Sequence, residues 1–282
     1  MFIRAAATYA LLSDSAEAAP TPGMELLPKP MARRMPPPLR RAVACGLAAL
    51  DHAKVERPDG IYYATGLGCL LDTQEFLLEI ERNAGGLLSP TAFIRSTHNT
   101  VPGLLALALK AQGPNLTFSQ GFIGFHAALL NAMMHVEQHP MHSVLVGASD
   151  EHLPLLDHLY ARLGGEARFG SAVRPAEGGA FFVVSGEQQE SVFRIADVRI
   201  ANVDLLETPS AYRTEAIQAG PTVDPARTNG SSYAERTGLH QSAPAVALAE
   251  GLEMLRTQNG IASLVLLDRE EDLAGLIRAE RC

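Results

Sequence analysis

The segment Asn115-Leu-Thr-Phe118 reads as a short buried strand that turns sharply at Gln120-Gly121 into a long apolar helix, Phe122 to Glu137. A strand that breaks into a helix presents one side chain at the helix start, where unpaired N–H groups and the helix dipole stabilise negative charge. Acyl transfer needs that setting for its nucleophile and its oxyanion. Thr117-Phe-Ser-Gln-Gly121 approximates the G-x-S-x-G elbow of hydrolases, with Thr in place of the first glycine. Ser119 is therefore one candidate nucleophile, provided that a His and an acid face it. Cysteine, the softer choice for thioester chemistry, is missing from the turn. Cys45, Cys69 and Cys282 all belong to other segments.

Other residues of chemical interest have plainer readings beside the sharp ones. His135 and His139 lie four apart on one helix face, a spacing that can hold a metal. They stand at the polar C-terminal end of the helix, where imidazolium also suits the dipole, and no metal site is expected. Asp150 and Glu151 could act as an acid pair or simply cap a following helix. His98 and His126 flank the elbow as substrate contacts or as hydrogen-bonded core histidines. Gly66-Leu-Gly68 completes neither nucleotide fingerprint and reads as a strand-to-helix turn.

The elements that must position these residues alternate. Phe2 to Tyr9 reads as a buried strand, although Arg4, the apolar run to Leu12 and the small residues near Ala16 superficially suggest a secretory leader. Asp14 and Glu17 interrupt that pattern. Pro20 to Pro38 holds seven of the 18 prolines and reads as an extended loop. Helical spacing follows over Leu39–His52 and Asp72–Glu81, with a strand at Ile61–Thr65 between them. Pro90 to Asn99 reads as irregular, and Thr100 to Gln112 as a helix apolar on most faces and therefore buried. A strand from His142 to Ala148 and a helix from Pro154 to Arg162 come next. Glu177–Ser185 and Val192–Val203 read as an antiparallel pair, Glu207–Arg236 as polar loop, and Ser242–Leu255 as a helix. Ile261–Leu267 reads as a final strand and Asp272–Arg278 as a final short helix. Strands alternating with helices predict parallel pairing and a layered α/β fold.

Composition excludes several function classes. The chain has 282 residues, 47% hydrophobic and 19% charged, enough for one large α/β domain or two modest ones. Its formal charge of −8 argues against nucleic acid as a partner. Three scattered cysteines without a CxxC fit neither a disulfide framework nor a zinc site and point to the cytoplasm. No apolar run approaches membrane-spanning length, so membrane insertion is not expected.

A resemblance emerges from motifs in collinear order. Asn99-Thr-Val-Pro-Gly103 followed by Gly113-Pro-Asn-Leu-Thr-Phe-Ser119 resembles the centre of β-ketoacyl-acyl-carrier-protein synthases. Arg33-Arg-Met35, Ala64-Thr-Gly-Leu-Gly68, Val144-Leu-Val-Gly147 and Gly178-Gly-Ala-Phe-Phe-Val183 have counterparts there too. The likeness is good over residues 1–205, which include the loop 20–38, and loose over a reduced C-terminal half, 206–282. It implies a single ketosynthase-like domain with a thiolase-like layered αβαβα fold and a shortened, degenerate second half. It also implies a dimer in which the strand Leu116, Thr117, Phe118, Ser119 pairs with its partner's equivalent.

The departures bear on function. The family's nucleophilic Cys would fall at Gln120, Gly121 or Phe122, depending on whether one counts from the strand or from the helix, and no cysteine is there. The His-Gly-Thr-Gly-Thr loop has no counterpart in Glu207–Arg236, which lacks histidine, and the later Gly-His is only echoed by Gly238-Leu-His240. The resemblance therefore implies a chain-length factor, a non-catalytic paralogue that forms a heterodimer with an active ketosynthase and needs no cofactor. The short form looks most like subunits of aryl polyene-type systems. Phe93, Thr97, His98, Phe122 and Phe125 would line or stop the acyl tunnel, and acyl carrier protein would dock mainly on the ketosynthase. Two other readings stay open, an acyltransferase or hydrolase using Ser119 and a homodimeric acyl-binding scaffold.

Overall fold

Runs of buried aliphatic and small residues make ten strands in the computed structural model of the chain, which describes residues 1–12, 20–83, 85–203, 216–223, 231–258 and 260–282. The strands are β1 (Phe2–Leu12), β2 (Gly60–Ala64), β3 (Asn115–Phe118), β4 (Val144–Asp150), β5 (Ala176–Ser185), β6 (Phe193–Asn202), β7 (Ala216–Ala219), β8 (Ser231–Ser232), β9 (Ser263–Glu270) and β10 (Leu273–Arg281). Between them lie the helices α1 (Lys29–Ala32), α2 (Pro37–His52), α3 (Leu70–Asn83), α4 (Pro90–Arg95), α5 (Thr100–Leu109), α6 (Gly124–Gln138), α7 (Pro154–Arg162), α8 (Gly165–Phe169), α9 (Ala234–Thr237) and α10 (Ala243–Thr257).

The strand order is β3-β2-β4-β5-β1-β6-β10-β9-β7-β8. Read outward from its middle, each half repeats the other. β1 and β6 correspond, as do β5 and β10, β4 and β9, β2 and β7, and β3 and β8. The pairing senses repeat as well. β2 is parallel to β3 and β4, and β7 is parallel to β8 and β9, while β4–β5, β5–β1, β9–β10 and β10–β6 are antiparallel. The two half-sheets meet over a short antiparallel contact in which Phe2 faces Arg194 and Ile3 faces Phe193, and the Ile195 N–H donates to the Met1 carbonyl oxygen.

The layers follow from which face of each strand is apolar. Val144, Val146 and Ala148 of β4 and Ala180, Phe182 and Val184 of β5 point to an inner core with α6 and α10. Ile195, Val198, Leu264, Leu266 and Ile277 of the second half-sheet close the same core from the other side. Leu145, Phe181 and Val183 point the opposite way, onto α2 and α5. A parallel or mixed sheet covered on both faces needs this two-sided apolarity. The small residues of α6 and α10 (Ala127, Ala128, Ala132, Ala245, Ala247) let both helices sit between the sheets.

Several sequence expectations are corrected here. β3 is not buried: it is the free edge of the sheet, with Asn115 and Leu116 exposed. Only Thr100, Val101, Pro102 and Leu105 of α5 are buried, and Leu107 is 72% exposed, so this helix is apolar on a face that the chain itself does not cover. β5 and β6 do not pair with each other, because β1 lies between them. Asp272–Arg278 is not a helix but most of β10, joined to β9 by a tight turn in which Glu271 adopts φ +53°. Ala274, Gly275, Leu276 and Ile277 are all buried, so the strand carries no alternation to announce it. The proline-rich loop contains a 3-10 turn at Met24–Leu26 and α1, and Pro90–Arg95 forms α4 with proline at its first turn. Of the polar stretch 207–236, residues 207–215 and 224–230 lie outside the described residues, and the remainder supplies β7, β8 and α9. In the sheet order the two central strands are β1 and β6.

Leu248 of α10 is fully buried in the core shared by both half-sheets. Leu248→Ala is expected to cost about 2–5 kcal/mol in chemical denaturation. Hydrogen exchange should then show protection falling in β4–β5 and in β9–β10 together, because the helix serves both.

Candidate functional site

β3 ends at Phe118, and Gln120 (φ −134°, ψ 45°) and Gly121 (φ +56°) turn the chain into a 3-10 turn at Gly121–Ile123 and then α6. The elbow has the shape expected from sequence. At Gly121 the positive φ favours glycine, and an added Cβ would lie 2.0 Å from Glu270 Oε2. The Phe122 N–H donates to the same oxygen at 2.9 Å. In an elbow, the N–H of the residue after the nucleophile is a donor for the developing oxyanion. Here a carboxylate from the end of β9 already occupies it.

Three further groups converge on the C-terminal ends of the parallel strands. Asp150, the last residue of β4, gathers the loop after β2. Its Oδ1 accepts from Thr65 Oγ1 (2.8 Å), the Gly66 N–H (2.9 Å) and the Leu67 N–H (3.2 Å), and its Oδ2 from Ser242 Oγ (2.7 Å). The acid expected to cap a helix therefore fastens a loop and the start of α10. Gln241 from the second half crosses the same loop, with its Oε1 1.5 Å from where a Cβ at Gly66 would be. Glu151 accepts the Leu71 N–H at 2.8 Å, and burial pushes its carboxyl up to about 7, with Glu177, Asp72 and Asp150 adding to the shift. A cleft of about 770 Å³, lined by Arg168, Thr222, Ser232, Arg269 and Glu270 among others, opens beside Glu270.

Beneath the elbow lies a buried polar pair. His126 of α6 has Nε2 3.4 Å from Asp268 Oδ2, both side chains are fully inaccessible, and the Tyr233 hydroxyl donates to Asp268 Oδ1. Burial pushes His126 down to about 3 and Asp268 up to about 8. Although the two are close enough for an ion pair, desolvation dominates on both sides and favours the uncharged form of each. His240 is also buried and pushed down by burial, and its Nε2 lies 3.2 Å from the Thr237 carbonyl oxygen. His126 is thus a core histidine.

The other sequence candidates scatter. Ser119 is exposed, and its hydroxyl donates to the Gly66 carbonyl at 3.3 Å instead of to a histidine. Phe122 is buried at the elbow, and Phe125 packs in the inner core on Phe182, with ring centroids 5.8 Å apart. Phe93 is exposed on α4 against Phe76, Thr97 borders a groove of about 600 Å³ between α4 and α5, and His98 is exposed beside Gly68. Leu116 is exposed and Thr117 and Phe118 half-buried along the free edge. Cys45 is buried in α2 and Cys69 at the start of α3, and burial raises both thiols. Neither lies in the elbow. His135, His139 and His142 cluster at the far end of α6, with His135 Nε2 2.8 Å from His142 Nδ1. Among the described residues no group of three or more ligating side chains is arranged to hold a metal ion, and no helix is long and apolar enough to cross a membrane. Sequence reasoning missed Glu270, Asp268 and Gln241. Asp268 directly follows the apolar run Leu264–Leu267 and opens the charged run Asp268-Arg-Glu-Glu-Asp272, so in sequence it reads as the start of a polar turn.

A profile described as the N-terminal domain of β-ketoacyl synthase matches residues 7–191. No curated protein matches the chain by sequence. Among solved structures it is similar to the AntDE:AntF assembly, a type II PKS acyl-carrier protein in complex with its ketosynthase bound to the hexaketide, with TM-score 0.79 and 14% identity over 100% of this chain and 99% of that one. The ishigamide ketosynthase/chain length factor gives 0.72 and 16% over 99% of each chain. The ketosynthase in complex with its chain length factor from Xenorhabdus doucetiae gives 0.58 and 17% over 100% of each. These likenesses establish the fold as thiolase-like.

The buried Asp268 carries a pH signature. Its folded pKa of about 8 lies above its unfolded value, so its contribution to stability is complete below about pH 4 and is lost as pH rises through about 8. Asp268→Asn keeps an acceptor for Tyr233 and cannot ionise. Thermal unfolding should show Asp268→Asn close to wild type near pH 5 and less sensitive than wild type to alkaline pH, by about 2–4 °C or more near pH 9.

Proposed function

We propose, from the premise that this chain belongs to the β-ketoacyl synthase family, that it is a non-catalytic subunit that pairs with an active ketosynthase and limits the length of the acyl chain built there. The observation that carries this reading is the elbow. It keeps the strand-turn-helix geometry that displays a nucleophile, yet has Gln120, Gly121 and Phe122 at the turn and a glutamate carboxylate on its N–H. Thioester exchange needs a thiolate beside free donors, and both are missing there.

Pairing is supported by the free edge of the sheet. β3 presents an unpaired strand edge, and the Thr117 hydroxyl is buried without a hydrogen-bond partner among the described residues. Beside it stand Leu116 (44% exposed), Leu107 (72%), Ile94 (65%) and Phe93 (56%). Exposed apolar area of this kind next to an unpaired edge is an interaction surface. The partner's β3 would extend the sheet across a two-fold or pseudo-two-fold axis. Phe93, Thr97, His98 and Phe122 would then bound the partner's acyl tunnel, and ring volume would set the stop, while Phe125, packed in the inner core on Phe182, would support Phe122 from behind. Acyl carrier protein would dock on the ketosynthase, given this chain's charge of −8. The setting is type II polyketide-like biosynthesis in the cytoplasm, of the aryl polyene kind.

Co-expression with a cysteine-containing ketosynthase from the same gene neighbourhood should give a one-to-one complex in native mass measurement. Leu107→Asp or Leu116→Asp should weaken it about tenfold or more, equivalent to about 1.4 kcal/mol. A stable homodimer indifferent to the ketosynthase would favour the scaffold reading instead. Incubated alone with acyl- and malonyl-carrier protein, the chain should form no covalent adduct, and an adduct on Ser119 would defeat the non-catalytic reading. In the reconstituted complex, Phe93→Ala or Phe122→Ala should shift products toward longer chains.

A further inference from the structure

Glu270 meets the elbow in a way that the absence of a cysteine does not require. The added Cβ at Gly121 would be 2.0 Å from Glu270 Oε2, 2.3 Å from Cδ and 2.9 Å from Cγ. The volume that a side chain at position 121 would fill is therefore already filled by the glutamate carboxyl. The same Oε2 accepts the Phe122 N–H at 2.9 Å. One residue thus takes both things that an acyl-accepting elbow offers, space for a side chain and a donor for an anionic oxygen.

The glutamate is presented from a β-hairpin. Glu270 is the last residue of β9 and pairs with Leu273 of β10 across the tight turn at Glu271–Asp272. It reaches the elbow from 148 residues away in sequence. An anion at the start of the 15-residue helix α6 is favoured by the helix dipole and by the charge-assisted N–H···O bond. We propose that Glu270 is a built-in plug. Its carboxylate stands in for the nucleophile's side chain and for the anionic oxygen, holding the elbow in shape while excluding acyl groups from it. This rests on, and deepens, the non-catalytic reading: the chain is closed at the elbow as well as lacking the thiol.

The test uses the full chain with Glu270→Ala, Glu270→Gln, Gly121→Cys and the double variant Gly121→Cys/Glu270→Ala. Hydrogen exchange at the Phe122 amide should accelerate about tenfold or more in Glu270→Ala and stay close to wild type in Glu270→Gln, whose amide oxygen can still accept. The cysteine introduced at 121 should be alkylated by iodoacetamide about tenfold or more slowly with Glu270 present than in the double variant. The rate is read on the peptide carrying position 121, with exposed Cys282 as the internal reference. If Gly121→Cys alone fails to fold and the double variant folds, the plug is supported. Unchanged Phe122 exchange in Glu270→Ala would overturn it, as would a cysteine at 121 that reacts as fast as Cys282 with Glu270 in place. None of these readouts involves a ketosynthase, so failure to form the heterodimer leaves them untouched.

Discussion

The structure depends on two helices being buried between two sheets. α6 and α10 lie in one core bounded by β4 and β5 on one side and by β6, β9 and β10 on the other. A helix enclosed in this way must be apolar and small-sided around most of its surface, and its N-terminus must find partners for free N–H groups inside the protein. That constraint explains the pairing of elements at the site. The start of α6, in the first half, is met by Glu270 and, one turn on, by Asp268, both from the second half. Just before α10, in the second half, Ser242 donates to Asp150 in the first. The half-sheets share little backbone pairing, so these crossings do much to fix how the halves sit together.

Burying polar groups at such a seam is tolerable only if they are neutral or satisfied. Asp150 is satisfied, with three donors on one oxygen and one on the other. Asp268 takes the other route: burial favours its uncharged form and that of His126 beside it. β4 thus carries a fully hydrogen-bonded acid at its end, and β9 one whose carboxyl is pushed up by burial.

The surface tells a complementary story. Exposed apolar residues include a group on α4, α5 and the β3 edge, namely Phe93, Ile94, Leu107 and Leu116, with others on α3, α6, α7 and the loops. A free strand edge and an uncovered apolar helix are both costly to leave in water. Their adjacency makes one partner surface the economical solution.

Much of this was legible in the sequence because it is local. The apolar spacing of Leu39–His52 and Ser242–Leu255, the turn at Gln120-Gly121 and the missing cysteine all lie within short windows, where period and residue type carry the information. The family resemblance was legible for the same reason, since its motifs are short and in order. What the tertiary structure alone decided is where neighbours come from. β10 carries no alternation because both its faces are covered. β3 and α5 look like core in sequence, yet stand at an edge where Asn115, Leu116 and Leu107 are exposed. Glu270 shows no local sign of its role, because its partners at Gly121 and Phe122 are about 150 residues earlier. By itself the sequence determined an elbow without a cysteine. Only packing between the two halves, which no local period encodes, placed a carboxylate in it.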